Sequence, residues 1–426
     1  MKFGFYTLGC KVNQFETQAL EQLALERGHT ICSANADAFI INTCTVTSVS
    51  EHKNIRAIHK IRRENPKAIL AVCGCLSQMD PEKIRATGEV DLISGTENRR
   101  NLITQCEQAY ADKQLTPPTP SANSDFEILP AGILSGRTRG LLKIEDGCDN
   151  FCSYCIIPYA RGRVRSLPPD AALAQVQTLS QQGVKEIMVT GIEIASYGKD
   201  LSPSVSFISL IASICSAVPQ IRIRLGSLEP RILTEEFCQT LAPYSNLARH
   251  FHLSLQSGCD KTLRDMNRKY TTADFLQAVQ RLRRHFPDCS ITGDLITGFP
   301  GETSEDFQQT LEFIQTCQFA SLHVFPYSER SGTAAAKRED QIPLAIRQTR
   351  AEQAKQVANE MSQTFLASFI GKDISVLLES PQKGFTPAHS HWHFTVKIPD
   401  FQGSKNTVCK VRIVGTEGSS LIGKPL

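Results

Sequence analysis

The most restrictive feature of this sequence is a strand–helix alternation that repeats about six times between residues 137 and 368. Parallel strands need a crossover of helix length, so this alternation favours a parallel sheet covered by helices. About six such units in one region predict an open or partial (βα)6 barrel. The predicted strands of this region are 140–146, 186–191, 221–227, 250–255, 290–298 and 320–327, and the main predicted helices are 205–217, 273–285, 304–316 and 345–368.

The flanking segments predict two further domains. Residues 1–115 alternate in the same way and predict an N-terminal parallel α/β sheet domain, while residues 116–136, with PPTP and SANS, predict a linker or surface loop. Residues 369–426 carry short β runs between Gly, Pro and Ser and predict a small all-β barrel. The fold class is therefore α/β. Predicted strands outside the central region are 2–8, 37–43, 68–72, 90–94, 372–379, 393–398 and 408–415, and predicted helices are 14–26, 48–63 and 80–87.

Cysteine is the unusual residue in the composition, with 15 in the chain. No apolar run approaches the ~20 residues that a membrane span requires, and the opening MKFGFYTLGCKVNQ lacks the apolar core of a signal peptide. We therefore expect a cytoplasmic protein without membrane contact. Thiols in that compartment stay reduced, so cysteines there indicate metal binding or catalysis. Most isolated cysteines are nevertheless expected to be small buried side chains.

One short cysteine cluster, Cys148-x3-Cys152-x2-Cys155, directly follows the predicted strand 140–146. Ligand sites in βα folds gather at the C-terminal ends of strands. Cysteine thiolates are the usual ligands of iron–sulfur clusters, and three of them on a [4Fe–4S] cube leave one iron open. Zinc is the alternative, but a structural zinc site needs a fourth Cys or His, and this segment contains none.

A second set of cysteines is dispersed in the sequence. Cys10, Cys44 and Cys75 follow the first three predicted strands. Because the carboxyl ends of parallel strands share one edge of a sheet, these thiols are expected at the same rim. Strand register alone does not exclude three unconnected buried thiols.

These segments resemble a known family. CDNFCSYC matches the radical S-adenosylmethionine (SAM) signature, and YTLGCKVNQFETQAL, INTCTVT and CGCLSQ are similar to the N-terminal domain of the methylthiotransferases. The resemblance implies that the first cluster binds the amino and carboxylate groups of SAM and yields a 5′-deoxyadenosyl radical. It also implies that Cys10, Cys44 and Cys75 hold a second [4Fe–4S] cluster whose open iron carries the sulfur to be inserted. Cys73 remains a rival for the third ligand.

The resemblance extends to the SAM pocket, through GIEIASYG, RLGSLEP, LSLQSG and MNRKYT. It implies that Glu193 accepts from the SAM ammonium and that Arg268 contacts the SAM carboxylate. Singly, such polar residues are more often caps or turn formers. The full set of candidate SAM contacts is Tyr154, Gly191, Glu193, Ser227, Glu229, Gln256, Ser257 and Arg268. No catalytic side chain is expected beyond the cluster ligands, and segments 294–303 and 325–335 are expected to be wall and loop.

Two basic segments can each be interpreted in two ways. Arg161, Arg163 and Arg165 form either a solvated turn or a group that contacts tRNA phosphate or shields the cluster. Residues 369–426 hold seven Lys or Arg against four Asp or Glu. The aromatic residues Phe385, Trp392 and Phe394 of this tail are expected either in its core or in contact with RNA. The methylthiotransferases end in an RNA-binding TRAM domain, which favours RNA contact.

The resemblance implies an enzyme that inserts a methylthio group at C2 of N6-threonylcarbamoyladenosine at tRNA position 37. One SAM would supply the methyl group and another the radical. The implied partners are the tRNA anticodon loop, an electron donor and a sulfur source, and a monomer is expected. The choice of branch rests on TLGCKVNQFET. Alternatives are action on N6-isopentenyladenosine-37 or a ribosomal-protein aspartate, a radical SAM enzyme with an electron-relay second cluster, and a non-enzymatic iron–sulfur RNA-binding protein.

Overall fold

The computed structural model describes residues 1–112, 125–132 and 138–426. Most of the predicted linker 116–136, with both of its boundaries, lies outside the described residues. Its described part, 125–132, forms neither helix nor strand, yet Leu129 is buried. Leu129 packs with Phe15 and Met188 because this segment covers the junction between the first two regions of the chain.

The N-terminal region is a five-stranded parallel sheet with the strand order β2-β1-β3-β4-β5. Its elements are β1 (Lys2–Thr7), α1 (Lys11–Glu26), β2 (Thr30–Ile31), β3 (Ala38–Thr43), α2 (Ser48–Glu64), β4 (Ile69–Gly74), α3 (Cys75–Met79), α4 (Pro81–Arg85), β5 (Leu92–Ile93) and α5 (Arg99–Asp112). All residues of β3 are buried, as expected for a strand covered on both faces. The sequence analysis missed β2, α3 and α5.

The central region is a partial barrel, as predicted. Its elements are β6 (Arg139–Lys143), β7 (Glu145–Asp146), α6 (Ile157–Arg161), β8 (Arg165–Ser166), α7 (Pro169–Gln181), β9 (Glu186–Thr190), α8 (Phe207–Ala217), β10 (Arg222–Leu225), β11 (Ser227–Leu228), α9 (Glu235–Leu241), β12 (His250–Gln256), α10 (Asp260–Asp265), α11 (Thr272–His285), β13 (Ser290–Thr297), α12 (Ser304–Cys317), β14 (Ser321–Pro326) and α13 (Leu344–Ala367), with 3₁₀ turns at Ile194–Ser196, Pro230–Ile232 and Ala335–Lys337.

The parallel barrel strands form an arc in the order β6-β9-β10, then β11-β12-β13-β14. Only Gly226 separates β10 from β11, so these two segments act as one strand that passes from the first sheet to the second. The arc stays open between its edge strands β6 and β14, and α1 packs against β6 beside this opening. The partial (βα)6 barrel expected from the sequence is thereby confirmed.

The interior of the partial barrel is polar. Along β12, the fully buried Phe251, Leu253 and Leu255 alternate with polar side chains that face inward. His252 contacts Asp294 of the neighbouring strand β13 at 3.1 Å. Most small barrels fill this space with branched apolar side chains, so a polar interior indicates room for a polar ligand.

The C-terminal region is a closed five-stranded barrel with the order β15-β16-β17-β19-β18. Its strands are β15 (Asp373–Leu378), β16 (Phe385–Ser390), β17 (Thr395–Pro399), β18 (Val408–Glu417) and β19 (Ser420–Pro425). The sequence analysis missed β16 and β19. Among the described residues, no helix combines the length and apolarity needed to cross a membrane.

The turn between β16 and β17 docks at the N-terminal ends of the central strands. Arg224 donates to the carbonyl oxygens of Ser390 (2.9 Å) and His391 (3.0 Å), and Ser290 donates to that of Trp392 (2.8 Å). Phe394 is buried, and Trp392 packs against a phenylalanine of the same small core. Of the two expectations for these side chains, core packing describes Phe394 and the half-buried Trp392, and contact of this barrel with RNA stays a prediction.

Candidate active site

The three dispersed cysteines lie at the carboxyl rim of the N-terminal sheet. Cys10 precedes α1, Cys44 follows β3, and Cys75 begins α3. The loops approach closely because two glycines adopt positive φ, +118° at Gly9 and +102° at Gly74. A Cβ on Gly9 would lie 2.8 Å from the Cβ of Cys44, so a larger residue would separate these loops.

Asn13 hydrogen-bonds the loops of this rim to one another. Its Nδ2 donates to Asn42 Oδ1 and to the carbonyl oxygen of Thr43, both at 2.9 Å, and its Oδ1 accepts from the Cys10 thiol at 3.3 Å. Both asparagines are fully buried. They orient the cysteine loops.

Cys73 lies in a different environment from Cys75. It is fully buried and packs in the apolar core with Leu102 and Cys106 of α5. Cys75 begins α3, which packs against α6 of the central region, and the charge of Arg161 at the end of α6 opposes the rise that burial causes in the pKa of Cys75. The environment of Cys75 therefore suits a ligand, and that of Cys73 suits a core side chain.

The first cysteine loop is held by backbone and side-chain contacts to the MNRKYT segment. Ser153 N donates to Met266 O at 3.0 Å, and Asn267 Nδ2 donates to Phe151 O at 2.9 Å. Arg268 Nη1 lies 3.2 Å from the Cys152 sulfur. These contacts place a cation on the thiolate side of the loop, where it favours an anionic cluster.

The donor sets fit iron–sulfur clusters. Burial raises the pKa of Cys44, Cys148 and Cys155 to about 12, and a bound metal removes such a thiol proton outright. Within the part of the chain that the structure describes, no three His, Cys, Asp or Glu side chains are gathered for a single metal ion. Cysteines that bind three different irons of one cluster stand further apart than ligands of one ion. The Arg161 Nε atom is buried without a partner, as expected beside an anionic group that would accept from it.

The candidate SAM contacts fall into three groups. Glu193 Oε2 accepts from Asn150 of the cysteine loop at 3.3 Å, and burial raises the pKa of Glu193 to about 7. Arg268 also contacts this loop, whereas Tyr154 and Gln256 line the cavity described below. These four side chains therefore belong to the cysteine loop, contact it or line the cavity that it borders.

The other candidates have structural partners. Glu229 accepts from its neighbour Arg231 at 2.9 Å, Ser257 accepts from Cys259 N at 3.2 Å, and Ser227 is exposed. A Cβ on Gly191 would lie 2.7 Å from Ile194 and 2.8 Å from Glu145, so protein packing alone explains this glycine.

Both cysteine loops border one cavity of about 230 Å³. Val46 and Thr47 closely follow Cys44, and Tyr154 lies between Cys152 and Cys155. The lining residues are Val46, Thr47, Tyr154, Gln256, Asp294, Ile296, Phe325, Pro326, Tyr327 and Ser328. Segments 294–303 and 325–335 were expected only as wall and loop, so Asp294 and Phe325 were not predicted among the residues that line this cavity.

Lys11 adds a cation on the open side of the barrel. It lines a small cleft with Arg139, and solvent reaches it there. Partial burial, followed by the charges of Arg139 and Arg224, lowers the pKa of Lys11, while Asp294 opposes this shift. Lys11 therefore lies close to the polar barrel interior, one residue after the predicted cluster ligand Cys10.

The three arginines after the first cysteine loop differ sharply. Only Arg163 is exposed, where it pairs with Asp149 at 3.1 Å. Arg161 and Arg165 are buried and pair with acidic residues of the N-terminal region. Neither a solvated turn nor a phosphate contact describes these two, because their charges are enclosed between two domains.

Comparison with known proteins identifies the family of this chain. Residues 142–314 match the Radical SAM superfamily, and residues 2–95 match the Uncharacterized protein family UPF0004. The threonylcarbamoyladenosine tRNA methylthiotransferase MtaB of Bacillus subtilis is 35% identical, over 99% of this chain and 91% of that protein. The chain belongs to the methylthiotransferase family of radical SAM enzymes. As a methylthiotransferase it uses two [4Fe–4S] clusters and SAM.

Other similar proteins include further tRNA methylthiotransferases and one more distant radical SAM enzyme. The Aquifex aeolicus MtaB is 34% identical over 89% of this chain and 93% of that protein. The Bacillus subtilis tRNA-2-methylthio-N(6)-dimethylallyladenosine synthase is 32% identical over 96% of this chain and 82% of that protein. The radical SAM methyltransferase TsrM of Kitasatospora setae superposes with a TM-score of 0.57 at 14% identity, over 79% of this methylthiotransferase and 74% of TsrM, which shows a shared fold alone.

Proposed function

We propose that this protein inserts a methylthio group at C2 of N6-threonylcarbamoyladenosine at position 37 of tRNA. The observation that carries the proposal is the shared cavity, bordered by Thr47 from the Cys44 loop and by Tyr154 from the Cys152–Cys155 loop. Radical formation and sulfur transfer must act on the same carbon atom, so both cofactor loops have to face one substrate.

When bound, the clusters and SAM supply the radical, the sulfur and the methyl group. The side chains of the protein hold and orient the reactants. Arg268, Glu193 and Gln256 are placed to bind SAM, with Arg268 on the carboxylate and Glu193 on the ammonium. Ile296 and Phe325 give the cavity an apolar wall that excludes water from a reactive site.

Lys11 favours threonylcarbamoyladenosine over isopentenyladenosine. The threonylcarbamoyl group ends in a carboxylate, whereas the isopentenyl group is apolar and offers nothing to a cation. Lys11 and Arg139 together make the cleft beside the barrel opening positive. A carboxylate that reaches this cleft would gain a charge-assisted hydrogen bond.

The anticodon arm of tRNA fits the exposed face of α2. Lys53, Arg56, Lys60 and Arg63 follow one another at intervals of three or four residues, so they share one side of the helix, and all are exposed. The helix starts directly after Thr47, which lines the cavity. Its phosphate-binding face would therefore begin at the cavity and lead away from it.

A single chain supplies both cysteine loops, so the proposed enzyme is complete as a monomer. It needs an electron donor and a sulfur source, and a tRNA substrate places it in the cytoplasm. The second candidate function is methylthiolation of N6-isopentenyladenosine, which the 32% identity to the dimethylallyladenosine synthase favours.

Nucleoside mass spectrometry decides between the candidates. The anaerobically reconstituted enzyme is incubated with SAM, dithionite, sulfide and tRNA that carries either modification. The proposal expects 2-methylthio-N6-threonylcarbamoyladenosine only. Methylthiolation of isopentenyladenosine alone would assign the second function. Formation of 5′-deoxyadenosine without any methylthio product would favour an enzyme whose second cluster relays electrons.

A further inference from the structure

Arg161 lies between the two predicted cluster sites. It ends α6, which follows Cys155, and α6 packs against α3, the helix that begins at Cys75 of the N-terminal sheet. The residue is only 1% exposed, so water does not screen its charge. One guanidinium therefore joins the loop of the first cluster to a ligand of the second.

Two carboxylates fix the orientation of this guanidinium. Arg161 Nη1 lies 2.7 Å from Glu16 Oε1, and Nη2 lies 3.2 Å from Glu16 Oε2, a bidentate geometry. Asp146 accepts from Nη1 at 3.1 Å. Arg161 Nη2 also lies 3.3 Å from Asn13, the same residue that accepts from the Cys10 thiol.

Both carboxylates are shared with other cations, so Arg161 belongs to a larger buried ion-pair network. Glu16 also pairs with Arg99 and Lys143, both at 3.1 Å. Asp146 also pairs with Lys143 at 2.5 Å and lies 3.8 Å from Arg165. Arg99 also pairs with Glu127 at 3.5 Å and Arg165 pairs with Glu97, so four cations meet four carboxylates. The buried Nε of Arg161 has no partner within this network and remains available as a donor.

We propose that Arg161 is a positioning residue that donates a charge-assisted hydrogen bond to the second cluster at its Cys75 end and raises the reduction potential of that cluster. Reduction adds one negative charge, and a buried cation a few ångströms away stabilises that charge more than water would. The inference depends on the second cluster and not on the identity of the tRNA nucleoside.

The test is an EPR-monitored redox titration of the reconstituted full chain, with Cys148, Cys152 and Cys155 replaced by Ala so that only the second cluster contributes. Dithionite is the reductant, and tRNA is left out. Arg161→Gln is expected to lower the midpoint potential by at least the 59 mV that corresponds to a tenfold change in a one-electron equilibrium. Arg163→Gln is the matched control, since it removes an exposed arginine from the same loop.

Glu16→Gln distinguishes an electrostatic effect on the midpoint potential from an effect of impaired folding. It removes the negative charge that opposes Arg161, so the midpoint potential should move in the positive direction. Two changes of opposite sign indicate a charge effect, because a loosened fold would shift both variants alike. If Arg161→Gln does not fold, Arg161→Lys keeps a charge but loses the bidentate geometry and should show a smaller negative shift. An unchanged potential in whichever arginine variant folds, with full iron content, would overturn the proposal.

Discussion

The imidazole rings of His250 and His393 stack with their centroids 4.5 Å apart. His250 begins a strand of the partial barrel, and His393 lies in the turn of the C-terminal barrel that docks beneath it. Burial lowers the pKa of both, to about 2 for His393. Histidines from two domains are thus kept neutral in one enclosed interface.

Acid should weaken this interface. Burial and the neighbouring Arg222 and Arg224 lower the pKa of His391 to about 3, against 6.5 in the unfolded chain. Below pH 6.5 the unfolded chain binds more protons than the folded one, so stability is full above that pH and falls towards pH 3. Between pH 7.5 and 5, His391 alone should cost about 2 kcal/mol.

Trp392, the single tryptophan of the chain, lies at this interface and reports the transition by fluorescence during urea unfolding. His391→Gln should lose less stability on acidification than the unsubstituted protein. Equal losses in the two proteins would show that His391 does not titrate as its burial requires.

Replacement of Cys75 should remove the second cluster, and replacement of Cys73 should not. Cys75→Ala deletes a thiol that faces Arg161, whereas Cys73→Ala deletes one from an apolar core. Iron and sulfide per chain should fall by half in the first variant and stay constant in the second, which serves as its matched control. The reverse pattern would make Cys73 the ligand.

Loss of the Lys11 charge should weaken binding of threonylcarbamoyladenosine. Lys11→Met is expected to raise KM and to lower kcat/KM by about ten- to a hundredfold. This factor corresponds to the free energy that a hydrogen bond to a charged group contributes to binding. Lys11→Arg keeps the charge and should retain most activity. A fall in kcat at constant KM in Lys11→Met would instead place Lys11 in the chemistry at the neighbouring Cys10.

Charge reversal on α2 should weaken tRNA binding in a salt-dependent way. Arg56→Glu combined with Lys60→Glu should reduce the slope of log affinity against log salt by about 0.9 for each lost phosphate contact. Fluorescence anisotropy with labelled tRNA over a KCl series measures this slope. Lys355→Glu, on the exposed side of α13, is the control that should leave the slope unchanged. Equal slopes for all proteins would exclude the α2 face.

Much of the fold was predictable because parallel strands bury both faces. The predicted limits of β3, a mostly apolar and fully buried strand, and of β13 agree with the structure within a residue or so. The missed elements have weaker local signals. Helix α5 is mostly polar, and β16, with the sequence FTPAHS, contains a proline and no clear strand pattern.

The sequence by itself determined the chemistry, since Cys148, Cys152 and Cys155 are adjacent and their spacing is local. It also placed Cys10, Cys44 and Cys75 at one rim through strand register. Only the tertiary structure distinguishes the buried Arg161 from the exposed Arg163, although the two residues lie two positions apart in one basic segment. Burial of Arg161 depends on Glu16, 145 positions away, and no local pattern records a partner at that distance. The long-range pairing of charges, unlike the spacing of ligands, is decided only when the domains pack.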